Sequence, residues 1–140
     1  MILVDTSVLI DYLQGNQTKK AGYLDALIEH EEPLGISTYT YLEVLQGARD
    51  EHEFKKLDAS LSALRIYPLK KGTENYREAA RLYFDLRRKG KTVRSSIDVL
   101  IALIAIQNKL WLLHDDRDFD TIKQYDRRLV TLDWAGDLPD

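Results

Sequence analysis

Short apolar runs alternate along this chain with segments whose apolar residues recur at helical spacing. Short apolar runs predict buried strands, because a strand covered on both faces needs apolar residues at successive positions. The five predicted strands are residues 2–4, 34–36, 65–69, 110–113 and 129–132. Pro68 predicts an end or a sheet edge for the third of them.

The segments between these runs carry apolar residues at helical spacing and begin at residues that cap helices. Asp5, Thr6 and Ser7 offer capping oxygens to a first short helix, which Gly15 closes. A polar loop is predicted over residues 114–120. The other helices are predicted at about 18–31, from Ser37 or Thr38 through Ala48, at about 50–64, along a stretch ending at Lys89 with Gly90 as C-cap, from Ser95 and Ser96 through Gln107, and at 119–125.

Strands that alternate with helices predict an α/β protein. Right-handed crossovers then give a mostly parallel sheet of about five short strands, with helices over both faces. The length of 140 residues lies near the commonest domain size, so we expect a single domain over residues 1–140.

Composition narrows the possible chemistry. The chain has no cysteine, which excludes disulfide scaffolds, thiolate zinc sites and cysteine nucleophiles. The N-terminus lacks the pattern of a signal peptide. The longest nearly apolar run, residues 97–106, is too short for a membrane span, which needs roughly 20 residues. We therefore expect a cytoplasmic protein with no membrane association.

Acidic residues follow two of the predicted strands. Asp5 ends the first strand, and Asp115, Asp116 and Asp118 follow the fourth. Because the carboxyl ends of parallel strands meet at one edge of a sheet, we expect these distant acids to lie close together. His114 stands beside them and is interpreted as a structural histidine at a strand end.

Asp98 and Glu43 lie on predicted helices. Asp98 belongs to a helix so apolar that it must be largely buried, and a buried carboxylate needs compensation from an arginine, a helix N-terminus, a solvated position or a divalent metal. Glu43 by itself is typical of the solvated stripe of an amphipathic helix. Together, however, Asp5, Glu43, Asp98 and Asp116 are predicted at the same edge, where four carboxylates would repel one another unless a cation joined them. With oxygen ligands alone, the expected ion is Mg²⁺ or Mn²⁺.

Four segments in this order resemble the PIN-domain nucleases, and specifically the VapC-type toxins of toxin–antitoxin pairs. They are residues 2–10, 36–47, 96–102 and 113–119. The resemblance implies a three-layer α/β/α fold and an Mg²⁺- or Mn²⁺-dependent endoribonuclease in which water cleaves the phosphodiester bond, leaving a 5′-phosphate and a 3′-hydroxyl. It also implies a homodimer and an antitoxin partner that covers the acidic groove.

Carried over by position, Asp5, Glu43, Asp98 and Asp116 match the acidic quartet of the family. Thr6 or Ser7 matches a hydroxyl that orients the site. The nearby Asp118 and Asp115 complicate the fourth position, and Asp118 is expected to act as a supporting or second-metal group.

Binding of RNA has to rely on local basic clusters, because the formal charge of the chain is −3. Removing the four quartet charges from this total leaves +1 for the remainder. The best cluster leads into the Asp98 helix and is expected to hold RNA phosphates. It contains Arg87, Arg88, Lys89, Lys91 and Arg94. The alternative interpretation is that these cations complement the C-terminus of the preceding helix.

Two other functions compete with the nuclease hypothesis. Another Mg²⁺-dependent phosphoryl-transfer enzyme, such as a phosphatase of the haloacid-dehalogenase type, also begins with an Asp after its first strand. That family needs a second Asp two residues later, where this chain has Ser7. The other alternative is a module on the same fold that binds RNA or protein without cleaving.

Overall fold

Each short apolar run forms a strand of one sheet in the computed structural model, which describes residues 1–132. All of the strand pairs are parallel, and the strand order is β3-β2-β1-β4-β5. The strands are β1 (Ile2–Val4), β2 (Leu34–Ser37), β3 (Arg65–Tyr67), β4 (Trp111–Leu113) and β5 (Val130–Thr131).

Helices form where the spacing of apolar residues predicted them. Most begin at a side chain that accepts a hydrogen bond from the first turn, such as Ser37 or Ser95. They are α1 (Thr6–Leu13), α2 (Lys19–Glu29), α3 (Thr38–Gln46), α4 (Glu51–Ser62), α5 (Thr73–Arg88), α6 (Ser96–Gln107) and α7 (Arg117–Tyr125).

The two faces of the sheet pack against different groups of helices. Ile2 and Val4 point into a buried cluster with residues of α1, α2, α3 and α4. Leu3, between them, points into a second cluster with α5, α6 and α7, because neighbouring side chains of a strand alternate between faces. The result is the expected three-layer α/β/α arrangement.

Gly35 allows β2 and β3 to pack as they do. A Cβ built on Gly35 would lie 2.5 Å from Cε2 of Tyr67, a side chain that is itself buried. Glycine therefore permits this close approach, since a Cβ would also lie 3.0 Å from the Arg65 carbonyl oxygen and its neighbours would have to shift.

The direction of chain progress across the sheet reverses at β1. From this central strand the chain builds β2 and β3 on one side and later adds β4 and β5 on the other. Such a reversal opens a crevice outside the carboxyl ends of the strands, which is where α/β proteins bind ligands. Asp5 lies at this point, and its backbone N–H donates to the Leu113 carbonyl at 2.9 Å.

Two predicted boundaries were wrong. The last helix was predicted to begin at residue 119, but it begins at Arg117, because the Asp116 side chain caps it there. Strand β3 ends at Tyr67 and not at residue 69, but the prediction from Pro68 is confirmed, since β3 ends just before it and lies at an edge of the sheet. Among residues 1–132, no helix is long and apolar enough to cross a membrane.

Candidate functional site

Asp5 is held at the end of β1 as the N-cap of α1. Its Oδ2 accepts hydrogen bonds from the Ser7 hydroxyl at 2.8 Å and from the Ser7 backbone N–H at 3.3 Å. Burial leaves the residue only 3% exposed and raises the pKa of its carboxyl to about 6, although the hydrogen bonds from Ser7 and Thr6 oppose this shift. The negative charge of Glu43, a residue of α3, also raises this pKa slightly.

A row of hydroxyl groups orients Glu43. The Thr6 hydroxyl donates to Glu43 Oε1 at 2.8 Å and lies 2.9 Å from the Thr40 hydroxyl. Because the single hydroxyl proton of Thr6 is used on Glu43, Thr40 donates to Thr6, and Ser37 in turn donates to Thr40 at 3.2 Å. Ser37 and Thr40 are fully buried. Every donor in this row points toward the Glu43 carboxylate and fixes it in place.

Asp98 lies in the first turn of α6, where the helix is otherwise apolar. Burial is the largest cause that raises its pKa, to about 7. The charges of Asp5, Asp116, Asp118 and Glu43 raise it further. Asp98 therefore lies close enough to the other four acids of the site for each of them to raise its pKa.

Asp116 and Asp118 form the tightest group with Asp98, and we call these three residues the acidic cluster. One carboxylate oxygen from each lies within 4.8 Å of the other two. Asp116 Oδ1 also accepts from the Asp118 backbone N–H at 2.9 Å, which caps α7 and brings both carboxylates to the same side of the helix start.

His114 packs beneath the segment that carries Asp116 and Asp118, on its buried side. It is 5% exposed, and its Nδ1 accepts from the Asp116 backbone N–H at 3.2 Å. Burial lowers its pKa, and its ring packs against Phe119 with centroids 5.1 Å apart. These contacts agree with the structural role expected of it.

Arg94 reaches the acidic cluster from the segment between α5 and α6. Its Nη2 donates to Asp116 Oδ1 at 3.0 Å, and its Nε donates to Asp118 Oδ2 at 3.2 Å. The backbone N–H of Arg94 also donates to Asp118 Oδ2, at 3.1 Å. These two carboxylates hold the pKa of the guanidinium above its usual value.

The other predicted supporting residues are spread more widely. Asp115 is exposed, with its side chain outside the acidic cluster.

The predicted basic residues make different contacts. Arg88 lies over the Phe84 ring, Lys89 lies over the Tyr125 ring, and Lys91 donates a hydrogen bond to Gln124. Arg87 shares with Arg94 a groove of about 590 Å³ beside α5 and α6. Among the basic residues of this predicted set, Arg94 is the one that bonds to a carboxylate of the described site.

The sequence reasoning missed two parts of the site. It did not single out Thr40, although a Thr one turn before Glu43 lies on the same helix face. It also did not anticipate that Arg94 bonds directly to Asp116 and Asp118, which depends on the path of a loop and has no periodic signal.

The donor set fits a hard divalent cation. Its ligand atoms are carboxylate oxygens, which Mg²⁺ and Mn²⁺ prefer. Burial raises the pKa of Asp5 and Asp98, and neighbouring acids raise both further, so their ionised forms are unfavourable without a compensating cation. Arg94 supplies only one positive charge to a site with five carboxylates.

Known proteins resemble this chain in both sequence and fold. A family model described as PIN domain matches residues 2–125. Ribonuclease VapC11 of Mycobacterium tuberculosis is 32% identical over 123 residues, which cover 87% of this chain and 91% of that protein. The structure of VapBC2 from Rickettsia felis bound to a DNA fragment from their promoter has a TM-score of 0.72 at 22% identity, covering 94% of this chain and 98% of that one. A toxin–antitoxin complex from Klebsiella pneumoniae has a TM-score of 0.61 at 26% identity, covering 85% and 90%.

Proposed function

The chain belongs to the PIN domain family, and we propose that it is a VapC-type, divalent-metal-dependent endoribonuclease, the toxin of a toxin–antitoxin pair. The relative named as a VapC ribonuclease supports this assignment over nearly the full length of both chains. Metal dependence follows from membership of the family and agrees with the carboxylate donors of the acidic cluster.

The observation that carries the proposal is the convergence of acids from different parts of the fold. Asp5 comes from the end of β1, Glu43 from α3, and Asp98 from the start of α6. The segment after β4 contributes Asp116 and Asp118. Burial, and then the negative charges of the other acids, raise the pKa of Asp98 to about 7, a cost that a structural role alone does not explain.

We assign binding of the ion, which we take to be Mg²⁺ with Mn²⁺ as a substitute, to the quartet Asp5, Glu43, Asp98 and Asp116. These four carboxylates would hold the ion, which would supply activation of the attacking water and compensation of negative charge on the phosphate. Thr6 holds the Glu43 carboxylate, and Ser7 holds that of Asp5. Fixed carboxylates of this kind lower the cost of reorganisation when substrate binds.

Asp118 belongs to the same site in a supporting role. It shares the acidic cluster with Asp98 and Asp116, but its Oδ2 is already bonded twice to Arg94. Asp115 is exposed beside it, where it adds negative charge to the rim. These positions favour Asp116 as the ligand nearest to the ion.

RNA is the proposed substrate, and its phosphates are attracted by local charge, because the net charge of −3 repels them. Arg94 lies at the acidic cluster, and Arg87 shares a groove with it. Arg88, Lys89 and Lys91 extend the basic surface along the end of α5. The family resemblance implies that water attacks and the 3′ oxygen leaves, so the proposed product ends are a 5′-phosphate and a 3′-hydroxyl.

A VapB-type antitoxin is the proposed protein partner, because the related structures are toxin–antitoxin complexes. An open groove of about 770 Å³ begins at Glu43 and continues between α1 and α4, with Ile10, Leu13 and Leu57 as apolar lining. A partner segment lying there would end at the acidic site. Assembly as a homodimer remains a prediction from the family.

The test is cleavage of RNA by the purified full chain with Mg²⁺, with Mn²⁺ and with EDTA, followed by mapping of the cut ends. We expect cleavage with either ion, none in EDTA, and loss of cleavage in Asp5→Asn and Asp98→Asn. Asp25→Asn, an exposed acid on α2, is the matched control. Cleavage that survives both site substitutions would exclude this site, and RNA binding without cleavage would favour the alternative of a binding module.

A further inference from the structure

Arg94 forms ion pairs with two carboxylates of the acidic cluster, where a divalent cation is also proposed to bind. Its guanidinium bonds to Asp116 at 3.0 Å and to Asp118 at 3.2 Å. These are two of the three carboxylates whose oxygens lie within 4.8 Å of one another. In this structure, therefore, the positive charge that compensates Asp116 and Asp118 is a side chain of the protein itself.

The guanidinium lies on the same carboxylates that would hold a divalent cation. Asp116 Oδ1 already accepts from Arg94 Nη2 and from the Asp118 backbone N–H. A cation that takes this oxygen displaces the guanidinium, and the two positive charges repel each other at such short range. The Arg94 side chain, where it lies in this structure, thus opposes binding of a divalent ion to the cluster.

The structure allows that movement without disturbing the fold. The Arg94 side chain is 74% exposed, whereas those of Asp116 and Asp118 are 21% and 12% exposed. The loop is anchored separately by the buried Val93 and by the backbone N–H of Arg94, which donates to Asp118. Only the long side chain has to leave, and it lies at the edge of an open groove.

We infer that Arg94 is a built-in counter-ion of the acidic cluster, which a divalent cation displaces and which then binds a phosphate of the RNA beside the cluster. The inference rests on the proposed function for its substrate. It gives Arg94 opposite effects on the two ligands, since Arg94 weakens binding of the ion and strengthens binding of RNA.

These opposite effects separate the inference from simpler roles. A residue needed only for the loop would weaken both ligands when replaced. A residue that only binds RNA would leave affinity for the ion unchanged. Removing a competing guanidinium, in contrast, tightens the binding of the ion in the absence of RNA.

The first measurement is titration of the metal-free full chain with Mn²⁺ by isothermal calorimetry. We expect Arg94→Ala and Arg94→Gln to bind Mn²⁺ roughly three- to tenfold more tightly than the wild type, the range expected for loss of a partly screened like charge. The control is Arg81→Ala, which removes an arginine of similar exposure that pairs with Asp85 on α5, outside the cluster. It should bind Mn²⁺ as the wild type does.

The second measurement is the rate of RNA cleavage at saturating Mn²⁺. We expect Arg94→Ala to raise KM about tenfold with a smaller change in kcat, because a contact to an RNA phosphate is lost. Mn²⁺ affinity that is unchanged or weaker in both Arg94 variants, or an unchanged KM, would overturn the inference. A wild-type chain that neither binds Mn²⁺ nor cuts RNA would instead overturn the proposed function, and the inference with it.

Discussion

Replacing Asp98 with asparagine should stabilise the metal-free fold while it abolishes cleavage. The pKa of Asp98 is raised from 3.8 to about 7, first by burial and then by the other acids. Asparagine has nearly the same shape and never ionises, so it removes this cost. A residue that served the fold would show the opposite effect.

The sign follows from linkage between ionisation and folding. In the unfolded chain Asp98 loses its proton near pH 4, but in the folded protein it keeps the proton until about pH 7. Stability of the wild type therefore falls as pH rises between these values, and the full cost is present above pH 7. Three pKa units correspond to about 4 kcal/mol, which solvent screening at this half-buried position and the favourable helix N-terminus reduce to about 2 kcal/mol.

The assay is urea unfolding of EDTA-treated wild type and Asp98→Asn at pH 3.5, below the unfolded pKa, and at pH 8.5, with Asp25→Asn as the exposed control. We expect the two proteins to match at the lower pH, within about 0.5 kcal/mol. At the higher pH the variant should be more stable by about 2 kcal/mol, or roughly 6 °C in Tm for a chain of this size. Equal or lower stability of Asp98→Asn at pH 8.5 would refute the view that the empty cluster is electrostatically unfavourable.

Three further changes test other parts of the account. Addition of Mn²⁺ at about a hundred times its Kd should raise the free energy of unfolding by about 2.7 kcal/mol, measured by urea titration, and the gain should largely disappear in Asp98→Asn. Thr6→Val should lower the rate of RNA cleavage about tenfold by releasing Glu43, whereas Thr6→Ser retains the hydroxyl and most of the rate. Gly35→Ala should lower Tm, at a cost of about 1–3 kcal/mol, since its Cβ meets the Tyr67 ring; an unchanged Tm would show that the ring moves freely.

The elements of the fold were predictable because their signals are local. Buried parallel strands such as β1 need successive apolar residues, and α6 is apolar nearly all round, so both patterns can be read directly. The placement of Asp5 at the ligand crevice followed from its position directly after a strand. The start of α7 was misjudged because the capping role of Asp116 could not be distinguished from that of an ordinary loop residue.

The relations between side chains were less predictable, because they depend on backbone conformation. Asp116 has an extended backbone as the N-cap of α7, which turns its carboxylate back toward Asp118. Arg94 follows a turn in which Gly90 adopts a φ of +74° and Val93 is buried, and these two features set where the arginine emerges. Neither arrangement repeats along the chain, so the spacing of hydrophobic and polar residues does not predict the position of either side chain.

The account's central claim is that the separated acids form one divalent-ion site, and anomalous diffraction from crystals soaked in Mn²⁺ tests it most directly. We predict a manganese peak at coordination distance, about 2.1 Å, from carboxylate oxygens of Asp98 and Asp116, with the Arg94 guanidinium moved away. Crystals that show no peak between these residues, at Mn²⁺ concentrations that support RNA cleavage in solution, would contradict it.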